Sequence, residues 1–501
     1  MKVSFVIPIY GKKPEQLRRC LKSLLDQSYK DIEIICVFDG PNEELQKLAE
    51  PFPVKIVNPG ERGGAPKARN TGAKVATGDI ICFWDADTYA VPEMVKVWVE
   101  RFTKNPQVDF LYSGYRWTDP NIPGYESEQI FDPWLITKYN FISTMFPVKR
   151  EKLVEWDESL TGLQDWDFWR RIIQNGAKGL YVPCGPNAAG AAWESDYPDK
   201  QSISGDTEQN TFKNRVLAIR RKFNDPAPDV LVYGGAFRYD AIRLAKLIGA
   251  DYFWNPAYIT HDYKMCLFVG FNPPEFEQDM AFLLKTNRDT KVAIYWMGID
   301  AEALGTMPFL EVKKFVAAIN RDVAYNFCMD ERTLQELEEL GIKAEVVPFP
   351  RPAGNIITTY PEKFKVLAFG DQENNALIDS VIKALPDVDF EKVVPNKGYR
   401  FEDYSVLVQF TVDKTLQDGP RNALIGGRWM ISNIQAPYTG YVDTTDAAKA
   451  VDEIVTKLRG LQEVKTLNAE AQAHYLDLTD PEKFKAKIKG LTAPQLEVVN
   501  A

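Results

Sequence analysis

The sequence predicts an α/β protein built from successive Rossmann-like domains, and three observations carry that prediction. The chain opens strand–helix–strand, with short apolar runs that end in Gly, Pro or Asp. A buried strand, Ile80–Trp84, stops at two carboxylates spaced i, i+2, Asp85 and Asp87. Beyond a polar, proline-bearing stretch at residues 223–229, the alternation of strands and helices starts again, and then once more. With 501 residues, 45% of them hydrophobic and 26% charged, the chain has material for roughly two to four domains, each with its own core.

The formal net charge of −10 argues against a non-specific nucleic-acid surface, so no nucleic-acid partner is expected. Six scattered cysteines, none in a Cys-x-x-Cys pair, read as reduced core thiols. The two histidines, His261 and His474, share no motif, and no zinc site is expected. The N-terminus enters a strand at once, so no secretory leader is read, and no apolar stretch approaches the ~18 residues of a spanning helix. A cytoplasmic protein is expected, with peripheral membrane contact left open.

Val3–Tyr10 is a buried strand closed by Pro8 and Gly11, and Pro14–Gln27 is a helix with Leu17, Cys20, Leu21, Leu24 and Leu25 on one face. Ile32–Phe38 is the second strand, parallel to the first through a right-handed crossover. Asp39 closes it, either as a turn former or as an acceptor for a nucleobase or ribose. After a short strand at Val54–Val57 comes Gly60–Gly72, with a helix beginning near Ala65. Its free N–H groups and the donors Lys67, Arg69 and Asn70 suit an anion; a capped helix with a solvated basic face is the alternative. Asp85 and Asp87 then lie at the carboxyl end of an apolar strand, where open α/β sheets bind ligands. They suit either a polar turn or a hard divalent cation with a diphosphate.

Pro92–Thr103 reads as an amphipathic helix, Val108–Tyr112 as a strand, Gly114–Pro133 as an aromatic-rich acceptor-side loop and Phe141–Phe146 as a strand. A helix starts near Asp165, with acids in its first turn as the macrodipole favours.

Pro8-x-Tyr10, Phe38-Asp39-Gly40, Arg69-Asn70-x-Gly72 and Asp85-x-Asp87, in that order, resemble glycosyltransferase family 2 domains of GT-A fold over roughly residues 1–220. The resemblance implies a nucleotide-sugar donor, a UDP-sugar by preference, a divalent metal (Mn2+ or Mg2+), and a glycan or glycoconjugate acceptor. It implies that Pro8, Tyr10, Asp39, Lys67, Arg69, Asn70, Asp85 and Asp87 bind the donor, that Asp87 with Asp85 holds the metal, and that Asp165 is the base of an inverting transfer. The sequence departs from the pattern at three places. Thr88 stands where many members have a further aspartate, Gln164 replaces the glutamate before the base, and no His matches a later element, whose place Trp193–Asp196 takes.

In the second half, Val230–Tyr233, Met265–Val269, Val292–Trp296, Asp322–Cys328 and Glu345–Pro350 read as strands of one Rossmann-like domain. Lys365–Gly370, Tyr404–Phe410 and Met430–Asn433 open another, with helices over 445–501. Expected domains are therefore 1–222, 229–352 and 364–501. The pair after the linker resembles a family 4, GT-B glycosyltransferase, through Trp296-x-Gly298-x-Asp300 and Asp418–Asn433. Asn422 stands where that family has a ribose-binding glutamate, and Lys392, Lys397 and Lys414 are the only candidates to hold a diphosphate. Two alternatives to a single transferase follow: a bifunctional glycan polymerase with one linkage per half, and a non-catalytic carbohydrate-binding scaffold.

Overall fold

The computed structural model describes residues 1–117, 130–183, 193–195, 209–234, 237–253, 261–271, 289–350, 359–370, 374–393, 399–411 and 418–492. The chain divides into two compact units, Met1–Ala227 with Phe253–Asp262, and Pro228–Tyr252 with Tyr263–Ala501.

The first unit runs β1 (Val3–Ile9), α1 (Pro14–Leu25), β2 (Ile32–Phe38), α2 (Glu43–Ala49), β3 (Lys55–Val57), α3 (Gly64–Val75), β4 (Ile80–Phe83), β5 (Thr88–Ala90), α4 (Met94–Lys104), β6 (Phe110–Tyr112), β7 (Arg116–Trp117), β8 (Pro147–Lys149), α5 (Gln164–Gln174), β9 (Gly179–Tyr181), β10 (Trp193–Ser195) and α6 (Gln209–Lys222). Its main sheet has the order β3-β2-β1-β4-β8-β6-β9 among the described residues. The first four strands are parallel, and β8 runs antiparallel between β4 and β6. A small second sheet has the order β5-β10-β7.

Pro8 sits in a central strand, where a missing N–H normally breaks a ladder. It is tolerated because the last bond on that side is Trp84 N–H to the Val6 carbonyl, so the β4 ladder has already ended. The helices pack where the apolar spacing puts them: α1 buries Leu17, Cys20, Leu21 and Leu24. Helix α3 comes close to the sheet through Gly72, where an added Cβ would meet Val6 and would lie 2.9 Å from Val37 Cγ2. That contact gives the Arg69-Asn70-x-Gly72 glycine a packing reason. The described cysteines, Cys20, Cys36, Cys82, Cys266 and Cys328, are free and buried, and burial pushes the Cys36 and Cys328 thiols up to about 12. Cys184 lies outside the described residues.

One expected strand is absent. Phe141–Phe146 forms turns, and the strand falls instead at Pro147–Lys149. The apolar run is real, with Phe141, Ile142, Met145 and Phe146 all buried. Phe141 packs on Tyr112 of β6 and Met145 meets Thr88 of β5, while the Ser143 carbonyl accepts from the Trp169 indole of α5 rather than from a strand. A continuous apolar run does not by itself separate a buried strand from a buried loop.

The second unit runs β11 (Val230–Tyr233), α7 (Arg238–Ile248), β12 (Asp251–Phe253), β13 (Met265–Val269), β14 (Lys291–Trp296), α8 (Ile299–Gly305), α9 (Phe309–Asp322), β15 (Tyr325–Cys328), α10 (Glu331–Glu339) and β16 (Glu345–Val346). It continues with β17 (Lys365–Gly370), α11 (Asn375–Ala384), β18 (Asp389–Lys392), β19 (Val406–Phe410), α12 (Asp418–Ile425), β20 (Trp429–Ser432), β21 (Thr439–Tyr441), α13 (Ala447–Gln462), α14 (Ala469–Leu478) and α15 (Pro481–Thr492). Two sheets result, β12-β11-β13-β14-β15-β16 and β18-β17-β19-β20-β21. The ladders β11-β13-β14-β15-β16 and β18-β17-β19-β20-β21 are parallel throughout. The segment expected as a strand over Glu345–Pro350 is a strand only at Glu345–Val346; Val347 N–H still reaches the Cys328 carbonyl, and Pro348 and Pro350 stop the ladder. Asp322 ends α9, so the neighbouring strand starts later than expected, at Tyr325.

Candidate active site of the first unit

The carboxyl ends of β1, β2 and β4 and the amino ends of α3 and α5 supply the residues singled out by the sequence. Arg69, on α3 and 6% exposed, is the centre of the group. Its Nη2 donates to Asp85 Oδ1 at 3.2 Å and its Nη1 to Gln164 Oε1 at 3.2 Å. Its guanidinium lies over the Trp156 ring, 4.5 Å from the centroid. One buried arginine thus ties the turn after β4 to the start of α5. Gln164, the departure from the glutamate pattern, keeps this tie with a neutral acceptor, and its amide nitrogen donates to the Leu160 carbonyl at 2.8 Å.

Asp165 is the first-turn residue beside Gln164. Burial pushes its carboxyl up, while the Trp166 N–H, the Asn140 side chain and the nearby Arg69 charge pull it down, and burial prevails. The Trp166 N–H bond measures 2.9 Å. The helix is entered through Leu163 in the left-handed region (φ 52°), a strained conformation for a branched side chain, held by what surrounds it. Asn70 holds the segment that precedes it. Its amide nitrogen donates to the Trp156 carbonyl (3.0 Å) and to Glu158 (2.9 Å), and its oxygen accepts from the Trp156 N–H (2.7 Å). Trp156 in turn stacks on Phe168, centroids 4.2 Å apart. Asn70 therefore fastens the segment leading into α5, and its amide is taken up by that segment. Asp167, two residues on from the candidate base, is fully buried and paired with Arg171 and Lys222, so the acidic first turn divides between a site residue and a structural lock.

Asp39 is 5% exposed and accepts from the N–H groups of Gly63 (2.6 Å) and Gly64 (3.0 and 2.9 Å), capping the start of α3. Both readings of Asp39 left it at the end of β2, and here it is the glycine-loop cap. Tyr10 is 51% exposed, with the Arg62 guanidinium 3.9 Å over its ring. Lys67 lies across Gly63, so closely that a side chain at Gly63 would strike it. Pro8 is half-buried in β1.

Asp87 pairs with Lys12, Nζ to Oδ2 at 2.5 Å. Lys12, Arg62 and Asn140 were not singled out from the sequence. A basic residue just past the Gly11 turn was the only available signal for Lys12. Thr88 is buried and bonded to Met145 Sδ at 3.1 Å, so it faces the core rather than the cleft. Trp193–Ser195 forms β10, antiparallel to Thr88–Ala90, which brings that segment's backbone beside the Asp85-x-Asp87 turn; Asp196 lies outside the described residues. Among the described residues no three His, Cys, Asp or Glu side chains gather as a metal cluster. Two carboxylates at one turn still fit a magnesium-type ion, which takes one or two protein carboxylates and completes its shell with phosphate oxygens and water.

In the second unit, Asp300 of the Trp296-x-Gly298-x-Asp300 stretch is 4% exposed and accepts from the N–H groups of Phe271, Met297 and Ala301 at 2.9, 2.9 and 3.0 Å. Burial outweighs these bonds and raises its carboxyl to about 6. Lys392 is paired with Asp379 at 2.7 Å; Lys397 and Lys414 lie outside the described residues. At the carboxyl ends of β19 and β20, Gln409 is fully buried with neither amide atom hydrogen-bonded, and the Thr411 hydroxyl is likewise without a partner. Arg421, 5% exposed, has Nη1 without a partner and Nη2 3.9 Å from Asp330.

Residues 4–158 match the model of glycosyl transferase family 2. An uncharacterised glycosyltransferase of Methanocaldococcus jannaschii is 30% identical over 192 residues, 35% of this chain and 66% of that protein. The amylovoran biosynthesis glycosyltransferase AmsE of Erwinia amylovora is 33% identical over 111 residues, 21% of this chain and 42% of that protein. The chain thus spans two thirds or less of the length of these relatives. Among solved structures, S. aureus TarS in complex with UDP-GlcNAc is 17% identical with a TM-score of 0.37, over 45% of this chain and 67% of that one, a likeness too small to carry an argument. The match to the family 2 model thus lies inside the first unit. The GT-B resemblance of the second unit has no counterpart in these matches.

Proposed function

We propose that the first unit transfers a sugar from a nucleotide-diphosphate donor to a hydroxyl of a glycan or glycoconjugate, with inversion at the anomeric carbon. The observation that carries this reading is the Arg69 bridge, which joins Asp85 to the helix start that bears Asp165. Asp85 and Asp87 would hold a divalent cation, which when bound neutralises charge on the leaving diphosphate. Asp165 would accept the acceptor hydroxyl's proton. Its raised affinity for protons suits that task better than an ordinary carboxylate, since a base works best with a pKa nearer the working pH. Arg69 keeps Asp165 ionisable by placing a positive charge nearby, and Asn70 with Trp156 fixes the segment that delivers it. Tyr10 and Arg62 offer a stacking face for a base at the end of β1, and Lys67 a cation for the diphosphate. Asp39 keeps a free lone-pair direction for a base or ribose beyond its two glycine partners. Release of nucleotide diphosphate from UDP-, GDP- and TDP-sugars, with manganese or magnesium, tests the reading. Metal-dependent release with one donor supports it, and release that is unchanged in Asp87→Ala refutes the metal assignment.

A second reading applies to the second unit, as a GT-B-like module with its own ligand site. Two parallel sheets support it, as does the return of α15 onto α7, where Phe484 approaches Tyr295 with centroids 6.0 Å apart. The buried, unbonded amide of Gln409 is the specific observation in its favour, because such a group is costly until a ligand bonds it. Titration of the full-length chain with the active donor gives two sites if the second unit binds it and one if it does not.

A further inference from the structure

Each carboxylate proposed to hold the cation already pairs, through one of its oxygens, with a cation of the protein's own. Asp85 carries Arg69, and Asp87 carries Lys12 at 2.5 Å, with the two side chains of that second pair 30% and 26% exposed. Arg69 is buried, stacked on Trp156 and bonded twice, so it is fixed. Lys12 is different. It sits in the short loop between β1 and α1, next to Gly11 at φ 59°, on a flexible four-carbon stem. Because β1 and β4 are neighbours in the sheet, the loop after β1 and the turn after β4 open on the same edge.

We propose that Lys12 is the resident counter-ion of Asp87 and couples divalent-cation binding to arrival of the donor diphosphate. This rests on the reading of Asp87 as the metal ligand. The charge balance gives the reason. Asp85 and Asp87 carry two negative charges, and Arg69 and Lys12 carry two positive ones, so the free site is close to neutral. A divalent cation arriving alone meets the Lys12 ammonium at the same carboxylate, a like-charge contact, whether it shares Asp87 or displaces the lysine. A diphosphate changes both sides of that balance. It supplies oxygens to the cation, and it gives Lys12 a new anionic partner when it leaves Asp87. Cation and nucleotide then bind better together than apart, and by linkage each raises the affinity of the other by the same factor.

The test is Mn2+ binding to the full-length protein, followed by loss of the free-ion electron paramagnetic resonance signal, alone and with saturating UDP or GDP. Wild type, Lys12→Met, Lys12→Arg and Asp87→Asn are compared. In the wild type the better nucleotide tightens Mn2+ binding by about tenfold or more, within the usual range of coupling between sites. Lys12→Met binds Mn2+ alone several-fold more tightly, binds nucleotide more weakly, and loses most of the coupling, while Lys12→Arg keeps it. Unchanged Mn2+ affinity and unchanged coupling in Lys12→Met would reduce the pair to a surface ion contact and overturn the proposal. The metal assignment fails in a different pattern: Asp87→Asn then binds Mn2+ as the wild type does, with or without nucleotide, and the proposal falls with it.

Discussion

At the strand ends of the first unit, Arg69 bonds Asp85 and Gln164, Asp39 bonds the Gly63 and Gly64 N–H groups, and Asn70 bonds both sides of Trp156. At the ends of β19 and β20 in the second unit, the Gln409 amide and the Thr411 hydroxyl are buried without partners, Arg421 reaches Asp330 only at 3.9 Å, and the Asn433 side chain bonds the Thr411 backbone N–H and carbonyl. Both regions bury polar side chains where parallel sheets bind ligands, and both hold buried atoms without partners, Arg69 Nε and Trp156 Nε1 in the first, yet the first has more side-chain bonds joining distant segments. The difference teaches what each arrangement is suited to. A tied network holds reacting groups in place before substrate arrives, which is what transfer chemistry requires. Unbonded buried groups cost about 1–3 kcal/mol each and are recovered only when something bonds them.

The sharpest way to break this comparison is kinetic. Asp165→Asn keeps the helix start and the Trp166 N–H contact but cannot take a proton, so turnover falls by about 10²–10⁴-fold with nucleotide binding little changed. A variant in the second unit, Arg421→Met, leaves first-unit turnover within about twofold if the reacting groups are confined to the tied network; steady-state rates on the same donor check both.

Acid separates the units with opposite signs. Burial would raise the Glu33 carboxyl, but the Ser4 hydroxyl, the Thr77 N–H and hydroxyl, and Lys2 together hold it at about 2. Its folded value is below its ordinary 4.5, so it stabilises β2 above pH 4.5, and that stability is lost as pH falls through about 2. Asp300 is raised from 3.8 to about 6, so the second unit is most stable below pH 3.8 and loses that share as pH rises through about 6. Each shift corresponds to roughly 3 kcal/mol. Urea midpoints read by hydrogen exchange in peptides from β2 and α8 should move in opposite directions over these windows. Glu33→Gln and Asp300→Asn should each flatten only its own profile.

Smaller effects sharpen the contrast in packing. Arg69→Met strips Asp85 and Gln164 of their donor and lowers first-unit stability by about 1–3 kcal/mol. Gly72→Ala drives a methyl into Val6 and Val37 and costs a similar amount, about 1–3 kcal/mol. Arg421→Met removes a guanidinium that is poorly bonded and changes second-unit stability by about 1 kcal/mol or less, of either sign. Denaturant midpoints for the three variants rank them.

The sequence was most legible where one physical requirement selects one residue type. Gly72 must lack a side chain to let α3 reach the sheet, Pro8 fits where the ladder on one side has ended, and Asp85 and Asp87 follow an apolar strand. Periodicity located α1 and α4, with their buried faces, to within a residue or two. It failed at Phe141–Phe146, because an apolar run buried as a loop has the same composition as a buried strand. Contacts between distant segments were not legible at all. Nothing in the local pattern around Lys12 says that it meets Asp87, 75 residues away, or that Asn70 spends its amide on Trp156, 86 residues away. The Arg69–Gln164 bond, which spans 95 residues, explains why a glutamine is accepted in the place of an acid, and only the folded chain reveals it.

In the proposed reading Asp165 is the base of a site organised by Arg69 and served by a cation at Asp87 and Asp85. Single-turnover transfer by Asp165→Asn, measured beside its metal-dependent nucleotide binding, tests it most directly. The account predicts binding within a few-fold of wild type and transfer slowed by about 100-fold or more. Transfer at the wild-type rate, with binding intact, would contradict it and move the chemistry away from this end of the sheet.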